Sequence, residues 1–317
     1  QWPKKAYNGK EKAIRRCFSC NECVMARHYK NLPIRCSFNP MIGFDKRLVG
    51  LKEAKHKKKV MVIGAGSAGM EAARVAALRG HEVYLLDKEK QIGGTLNTAA
   101  VIPGKEKLKW IVEYYAYALP MLGVHIQLGR LVDKQKIDTI NPDAVIMATG
   151  SELERPQING IENANTFSFK DVLKGEVKIE GEKVVVIGGG LIGLETALFL
   201  VSFRNHVTVL KRYETISENM DPIYATHLLS SSQKQGVNII SNARILEIKQ
   251  SHIILAQGKE TNKLYFDKIV LARELKPSNK LAKEVKTGGE VYIIGDALKP
   301  RKIFDAIHEG FMIGKLV

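Results

Sequence analysis

The sequence predicts an α/β protein built from two Rossmann-like domains, one inserted in the other, behind a loop segment that carries four cysteines. Three observations predict it. A glycine-rich motif in strand–turn–helix context is written twice. The last strand and helix of the chain return to complete the first copy. All four cysteines lie between Cys17 and Cys36. The 317 residues suffice for two or three compact domains, and 45% hydrophobic content supplies cores for them.

The cysteine segment comes first. Cys17, Cys20, Cys23 and Cys36 read C-x2-C-x2-C-x12-C in "RCFSCNECVMARHYKNLPIRC". Three thiolates can converge from one tight loop, and the fourth returns after a short excursion to close the set. Disulfides are the default for an even cysteine count. The N-terminus, however, has no apolar core and no cleavage pattern, and C-x-x-C thiols without a secretory signal point to a metal and to the cytoplasm. Zinc and an iron–sulfur cluster both accept four thiolates, and spacing alone leaves the two open. Arg15, Arg16 and Arg35 flank the ligands and offset their negative charge. None of the eight histidines stands at metal-ligand spacing. The run "KEAKHKKKV" reads as a solvated linker, so this segment spans about residues 1–58. Because the chain opens on Gln1, it reads as the continuation of something upstream.

The repeat is the most informative feature. "KVMVIGAGSAGMEAARVAALRGHEVYLLDK" begins at Lys59 and "KVVVIGGGLIGLETALFLVSFRNHVTVLKR" at Lys183, 124 residues later, with no gap. Gly64, Gly66 and Gly69 map onto Gly188, Gly190 and Gly193. "VIMATG" (145–150), with Ala148, Thr149 and Gly150, maps onto "IVLARE" (269–274). Each copy has a β-branched run, G-x-G-x-x-G, an apolar-periodic helix and a second apolar run, the context a dinucleotide fingerprint requires. The first glycine makes the turn, the second lets backbone approach a pyrophosphate, and the third lets helix pack on strand. Amides at the helix start favour the phosphates: Ser67 and Ala68 in the first copy, Leu191 and Ile192 in the second.

The copies differ where the adenosine ribose is read. The first has Asp87, whose carboxylate accepts from ribose hydroxyls. Lys88 follows, and then Gly93 and Gly94 offer a second close backbone approach, with Thr95 next to them as a further cofactor-binding candidate. The second copy has Lys211 and Arg212, which attract a 2′-phosphate and favour NADPH over NADH. The first copy is expected to hold FAD. "EVYIIGDALKPRKIFDAIHEGF" supplies a strand ending at Gly295 and Asp296, the latter placed for a ribityl hydroxyl, then a helix from about Ile303 aimed at the flavin pyrimidine edge. The expected domains are 59–152 with 277–317 for FAD, and 153–276 for NAD(P)H.

No cysteine follows Cys36, so the redox-active pair of an ordinary disulfide reductase is missing. A flavin reduced by NADPH must pass its electrons elsewhere, and the acceptor at hand is whatever the four cysteines hold. Zinc does not change redox state, so this context selects an iron–sulfur cluster. Flavin reduction needs no general acid or base, and no catalytic side chain is assigned. The net charge of +16 permits nucleic acid, yet no aromatic–basic signature or helix-turn-helix supports it. No membrane span is expected either: the apolar run 184–201 is interrupted by Gly188, Gly189, Gly190, Gly193 and Glu195.

With these residues in view the chain resembles the C-terminal half of the iron–sulfur flavoenzymes that include 2,4-dienoyl-CoA reductase, NADH oxidase-like enoate reductases and trimethylamine dehydrogenase. The resemblance covers essentially the whole chain. It rests on "PKKAYNGKEKAIRRCFSCNEC", "IRCSFNP", "VIGAGSAGMEAA", "LLDKEKQIGGTLN", "ATG", "VVVIGGGLIGLETA" and "GDALKPRKIFDAIHEG". It implies a glutathione-reductase-like pair of domains and a [4Fe-4S] cluster. It also implies a partner domain upstream, an FMN-binding (β/α)8 barrel of the old yellow enzyme type that reduces an enoyl- or dienoyl-type substrate. A barrel needs about 250 residues, and none of this chain encodes one. Three departures stand out. The third cysteine comes one residue earlier than in the commoner C-x2-C-x3-C-x11-C arrangement. Glu274 replaces a glycine of many relatives. Trimethylamine dehydrogenase-like members hold ADP in the first fold, an amine-oxidising alternative. The alternative of another class is a zinc-containing, non-enzymatic scaffold for nucleic acid or a partner protein.

Overall fold

The computed structural model describes residues 2–43, 50–214, 222–273, 275–285 and 289–317. Glu274 and positions 44–49 of the cysteine segment lie outside the described residues. The chain divides into two compact units. The first is Gln1–Ala100, Lys107–Glu152 and Lys276–Val317; the second is Val101–Glu106 and Leu153–Leu275. The hexapeptide 101–106 thus belongs with the second unit, and the cysteine segment packs with the first.

The first unit is built on a five-stranded parallel sheet in the order Glu290–Ile293, Ala144–Met147, Lys59–Ile63, Glu82–Asp87, His125–Leu128. The central runs KVMVI and AVIM are apolar at nearly every position because both sheet faces are covered. Val62 stands between Leu85 and Ile146 in register. Val60, Val62, Leu85 and Ile146 face one core with Ile111, Tyr115 and Ile307. Met61, Ile63, Val145 and Met147 face the other with Val132 and Ile137. The helices Ser67–Leu78 and Ile303–Leu316 lie against each other through small residues. A Cβ on Gly310 would sit 2.3 Å from the Ala68 carbonyl oxygen, and one on Gly314 2.7 Å from that of Ala72. No larger residue fits these two positions at this helix separation.

The second unit repeats the plan with the order Thr166–Ser168, Lys268–Leu271, Lys183–Ile187, His206–Leu210, Asn238–Ile240. Val184 and Val186 pack on Leu194 and Leu198 of the helix Leu191–Val201. Val185 and Ile187 pack on Ile253, Leu255 and Phe266. The antiparallel meander Arg244–Ile248, His252–Gln257, Glu260–Tyr265 contributes to that second face. The repeat extends to single hydrogen bonds. Gly64 N–H donates to Leu86 O, and Gly188 N–H to Leu210 O. Asp143 accepts from the Lys59 amide and Asp267 from that of Lys183. Among the described residues no helix is long and apolar enough to cross a membrane.

Candidate nucleotide and metal sites

The three glycines of each motif have separate reasons to lack a side chain. Gly64 has φ +109°, and a Cβ there would lie 2.2 Å from Ala148 O; one on Gly69 would lie 1.8 Å from Gly64 O. Turn and helix packing therefore account for both. Gly66 differs: its φ is −77° and nothing stands within 4 Å of the place its Cβ would occupy. The second copy has the same pattern. Gly188 (φ +130°) meets Ala272 O at 2.2 Å, Gly193 meets Gly188 O at 1.7 Å, and Gly190 faces open space. Gly66 and Gly190 are also the N-caps of their helices, and neither helix start has a side-chain cap. Open space beside uncapped helix amides can accept a phosphate group. In the first copy Gly94 borders it, since a Cβ there would stand 3.1 Å from Gly66 Cα.

Asp87 ties this cradle together. One of its oxygens accepts from the Ala65 amide at 2.5 Å and the other from the Glu89 amide at 2.8 Å. Each oxygen keeps acceptor capacity for a ribose hydroxyl. Lys88 and Thr95 are exposed beside it, Ser67 is half-buried and Ala68 is buried. The Thr149 hydroxyl donates to the Ser278 carbonyl, and the Gly150 carbonyl accepts from the Ser278 amide. Gly295 (φ +62°) abuts Ala68, where a Cβ would meet the alanine methyl at 2.8 Å. Asp296 accepts from the Ser151 hydroxyl and the Arg301 amide, both at 3.2 Å, and so orders the turn into the last helix.

In the second unit Lys211 folds inward. It is 5% exposed, its ammonium donates to Glu214 O at 2.9 Å, and burial lowers its pKa against the raising charge of Glu214. Its stem fills the notch left by Gly189, where a Cβ would lie 1.6 Å from Lys211 Cγ. Arg212 is the exposed cation of the pair, its guanidinium 5.6 Å from the Tyr213 ring.

The four cysteines are free thiols. Cys17 and Cys20 lie in irregular chain with Ser19 and Asn21 left-handed between and beside them, and Cys23 lies in the turn Glu22–Val24. The Ser19 amide donates to Cys17 Sγ at 3.4 Å, and Cys20 Sγ lies 3.3 Å from Ser37 Oγ. Burial raises the Cys20 pKa against the lowering hydrogen bonds of the Ser37 hydroxyl and the Glu22 backbone, and the nearby Cys36 and Cys17 add smaller raising contributions. Clustered thiols that oppose one another's ionisation are stabilised as thiolates by bound metal. Among the described residues, no three His, Cys, Asp or Glu side chains converge on a position for a metal ion. The donors are four free thiols, a set that zinc and an iron–sulfur cluster both accept.

A group of side chains absent from the sequence reading lies between the cysteine segment and the first motif. Glu71, fully buried on the helix Ser67–Leu78, accepts from Arg15 (3.0 and 3.1 Å), Arg74 (2.7 and 2.8 Å) and the Tyr115 hydroxyl (2.9 Å). Burial pushes its carboxyl up, but the two guanidinium charges and the hydrogen bonds outweigh that and hold it at about 2. Glu195, its counterpart 124 residues on, is likewise buried and pairs with Lys105 and the Tyr224 hydroxyl. A signal was present: both copies write a glutamate two residues after the third glycine, "GMEAA" and "GLETA", in the first turns of a largely apolar helix.

Residues 58–299 match the family model described as pyridine nucleotide-disulphide oxidoreductase. The chain is 40% identical to an NADH oxidase of Thermoanaerobacter brockii, over 99% of this chain and 49% of that protein. It is 34% identical to a cinnamate reductase of Clostridium sporogenes, over 99% and 47%. A solved 2-naphthoyl-CoA reductase, in complex with 2-naphthoyl-CoA, superposes with a TM-score of 0.94 at 31% identity, covering 99% of this chain and 48% of that one. The chain therefore spans about half the length of these relatives. Two glycine cradles on parallel sheets, matched by a family model over most of the chain, place this chain in the pyridine nucleotide-disulphide oxidoreductase family, whose NAD(P)H-dependent flavin oxidoreductases it joins.

Proposed function

We propose that this chain is the electron-input module of a larger reductase. Electrons enter from NADPH, pass to FAD and a [4Fe-4S] cluster, and leave for an FMN-binding barrel that reduces an enoyl- or dienoyl-type substrate. The observation that carries the reading is the pair of open glycines, Gly66 and Gly190, each beside an uncapped helix start. The relatives that act on cinnamate and naphthoyl-CoA support the substrate class, and their greater length supports the upstream barrel. The chemistry such cofactors supply is hydride acceptance converted into single-electron delivery.

The chain's own residues bind and position. Residues 59–152 with 277–317 would hold FAD, through the Gly64–Gly69 turn, Asp87 on the ribose and Gly94 behind the pyrophosphate. Residues 153–276 would hold the nicotinamide nucleotide, with Arg212 as the exposed cation for a 2′-phosphate. Cys17, Cys20, Cys23 and Cys36, within the segment 1–58, would ligate the cluster. No side chain is asked to move a proton.

The test is anaerobic purification of the chain, with assay of flavin, iron and acid-labile sulfide, followed by NADPH-driven reduction of ferricyanide. Bound FAD with NADPH-dependent turnover is the expected result. A chain that binds no flavin on titration with FAD would end the proposal.

A further inference from the structure

The segment that bears the cysteines contains little to hold itself in place. Between residues 15 and 38 the described helices are one short turn, Glu22–Val24, and the π-turn Met25–Tyr29 that continues it. Cys17, Cys20 and Cys23 are exposed, and Ser19, Asn21 and Asn31 are left-handed. Full apolar burial here is confined to Ala26 and Phe38, with Phe18 and Cys36 partly buried against the same core.

Arg15 closes this loop at its base. One guanidinium nitrogen, Nη1, donates to Phe38 O at 2.5 Å, joining the residue two before Cys17 to the residue two after Cys36. The other, Nη2, reaches both oxygens of Glu71. The guanidinium also lies over the rings of Phe38 (5.3 Å) and Tyr114 (5.0 Å). Glu71 is therefore the point at which all four cysteines, through one arginine, are tied to the helix that starts in the first glycine cradle. The second copy shows that this glutamate position is a socket for a cation brought from outside the βαβ unit: Glu195 takes Lys105 from the segment 101–106. Arg74 already matches the Glu71 charge from one turn along the same helix, so a carboxylate buried for helix stability alone would not need Arg15.

We propose that Glu71 is a positioning residue: by holding Arg15 it fixes the closed base of the cysteine loop on the flavin-fold helix, and so sets the placement of the thiols. That the placement serves a cluster rests on the reading given under Proposed function; the mooring itself does not. Other anchors compete with it: Arg16 pairs with Glu113 and lies 4.7 Å from the Trp110 ring, Arg35 lies 4.4 Å from the Phe304 ring, and the Lys107 ammonium donates to Ser19 Oγ at 3.0 Å. Phe38 packs edge-on against Tyr114 and Tyr115, and a His308 ring nitrogen lies 2.9 Å from Cys36 O.

Three variants of the full chain, freed of metal with a chelator, separate these contributions. Arg15→Gln leaves Glu71 matched by Arg74 and is the primary variant. Glu71→Gln removes the socket. Arg74→Met removes the partner that does not touch the loop. Hydrogen exchange over residues 15–38 and the alkylation rate of Cys36 are read against exchange in the strands Lys59–Ile63 and Ala144–Met147. Loss of charge-assisted hydrogen bonds should speed loop exchange and Cys36 alkylation by about tenfold or more in Arg15→Gln and Glu71→Gln. The strands should stay protected in Arg15→Gln, and the loop of Arg74→Met should exchange as in the parent; in Glu71→Gln the strands lose protection with global stability, so loop exchange there is read relative to theirs. A loop unchanged in Arg15→Gln, or loosened as much in Arg74→Met, would overturn the proposal and leave the contacts of Arg16, Ser19, Arg35, Phe38 and His308 as the anchors. Iron and sulfide uptake by the parent is measured separately. Its failure removes the cluster reading without touching the exchange result.

Discussion

Glu71 shows how much a single side chain can carry once the chain is folded. Removing a buried carboxylate that faces two guanidiniums strands their charge, so Glu71→Gln is expected to lose about 3–5 kcal/mol in a urea titration. Its pH signature has a fixed sign. The folded carboxyl sits at about 2, below its ordinary 4.5, so its contribution is complete above pH 4.5 and is lost as pH falls towards 2. Urea midpoints of the parent should therefore decline through that window, and those of Glu71→Gln should decline less. Arg212 makes the second residue-scale prediction. Because Lys211 is committed to Glu214 O and to the Gly189 notch, Arg212→Ala should cut the NADPH over NADH ratio of kcat/KM by about tenfold or more. Lys211→Met, which keeps the stem, should cut it less. Equal effects would return the phosphate contact to Lys211.

At the scale of elements, glycines divide into those that shape the fold and those that leave room. Gly66→Ala meets no atom and no strained φ, so the cofactor-free protein should melt at the parent temperature while its affinity for FAD falls. Calorimetry and a flavin titration check the two halves separately. Gly310→Ala is the opposite case. Its methyl would lie 2.3 Å from Ala68 O, and pushing the last helix off Ser67–Leu78 should cost about 1–3 kcal/mol. Flavin retention should fall with it, because Gly295 and the start of the first motif helix are in contact at the same seam.

At the scale of the molecule, each unit has its own two-sided sheet with separate apolar clusters on its faces. Stability in such a chain is distributed among cooperative units. Val62→Ala, in the first sheet, is therefore expected to raise hydrogen exchange in Ala144–Met147 and lower FAD retention. Exchange in Lys183–Ile187 should stay as in the parent. Simultaneous loss of protection in both sheets would show a single cooperative unit instead.

The α/β architecture with parallel sheets was legible in the sequence because its signals are local and written twice. Apolar runs fully buried on two faces, a glycine turn and a helix repeat at one spacing, and a second copy confirms the first. Family membership was legible for the same reason, from motifs a few residues long. What the sequence could not display was partnership across long separations. Arg15 meets Glu71 and Phe38, Gly310 meets Ala68, and Lys211 turns into Gly189 rather than outward. The charge of Lys211 was visible; its direction was decided by a missing methyl on another strand-end loop. Short-range periodicity determines which elements form, whereas burial, which sums contributions from chain segments far apart, determines which side chains face a ligand and which hold the loops that do.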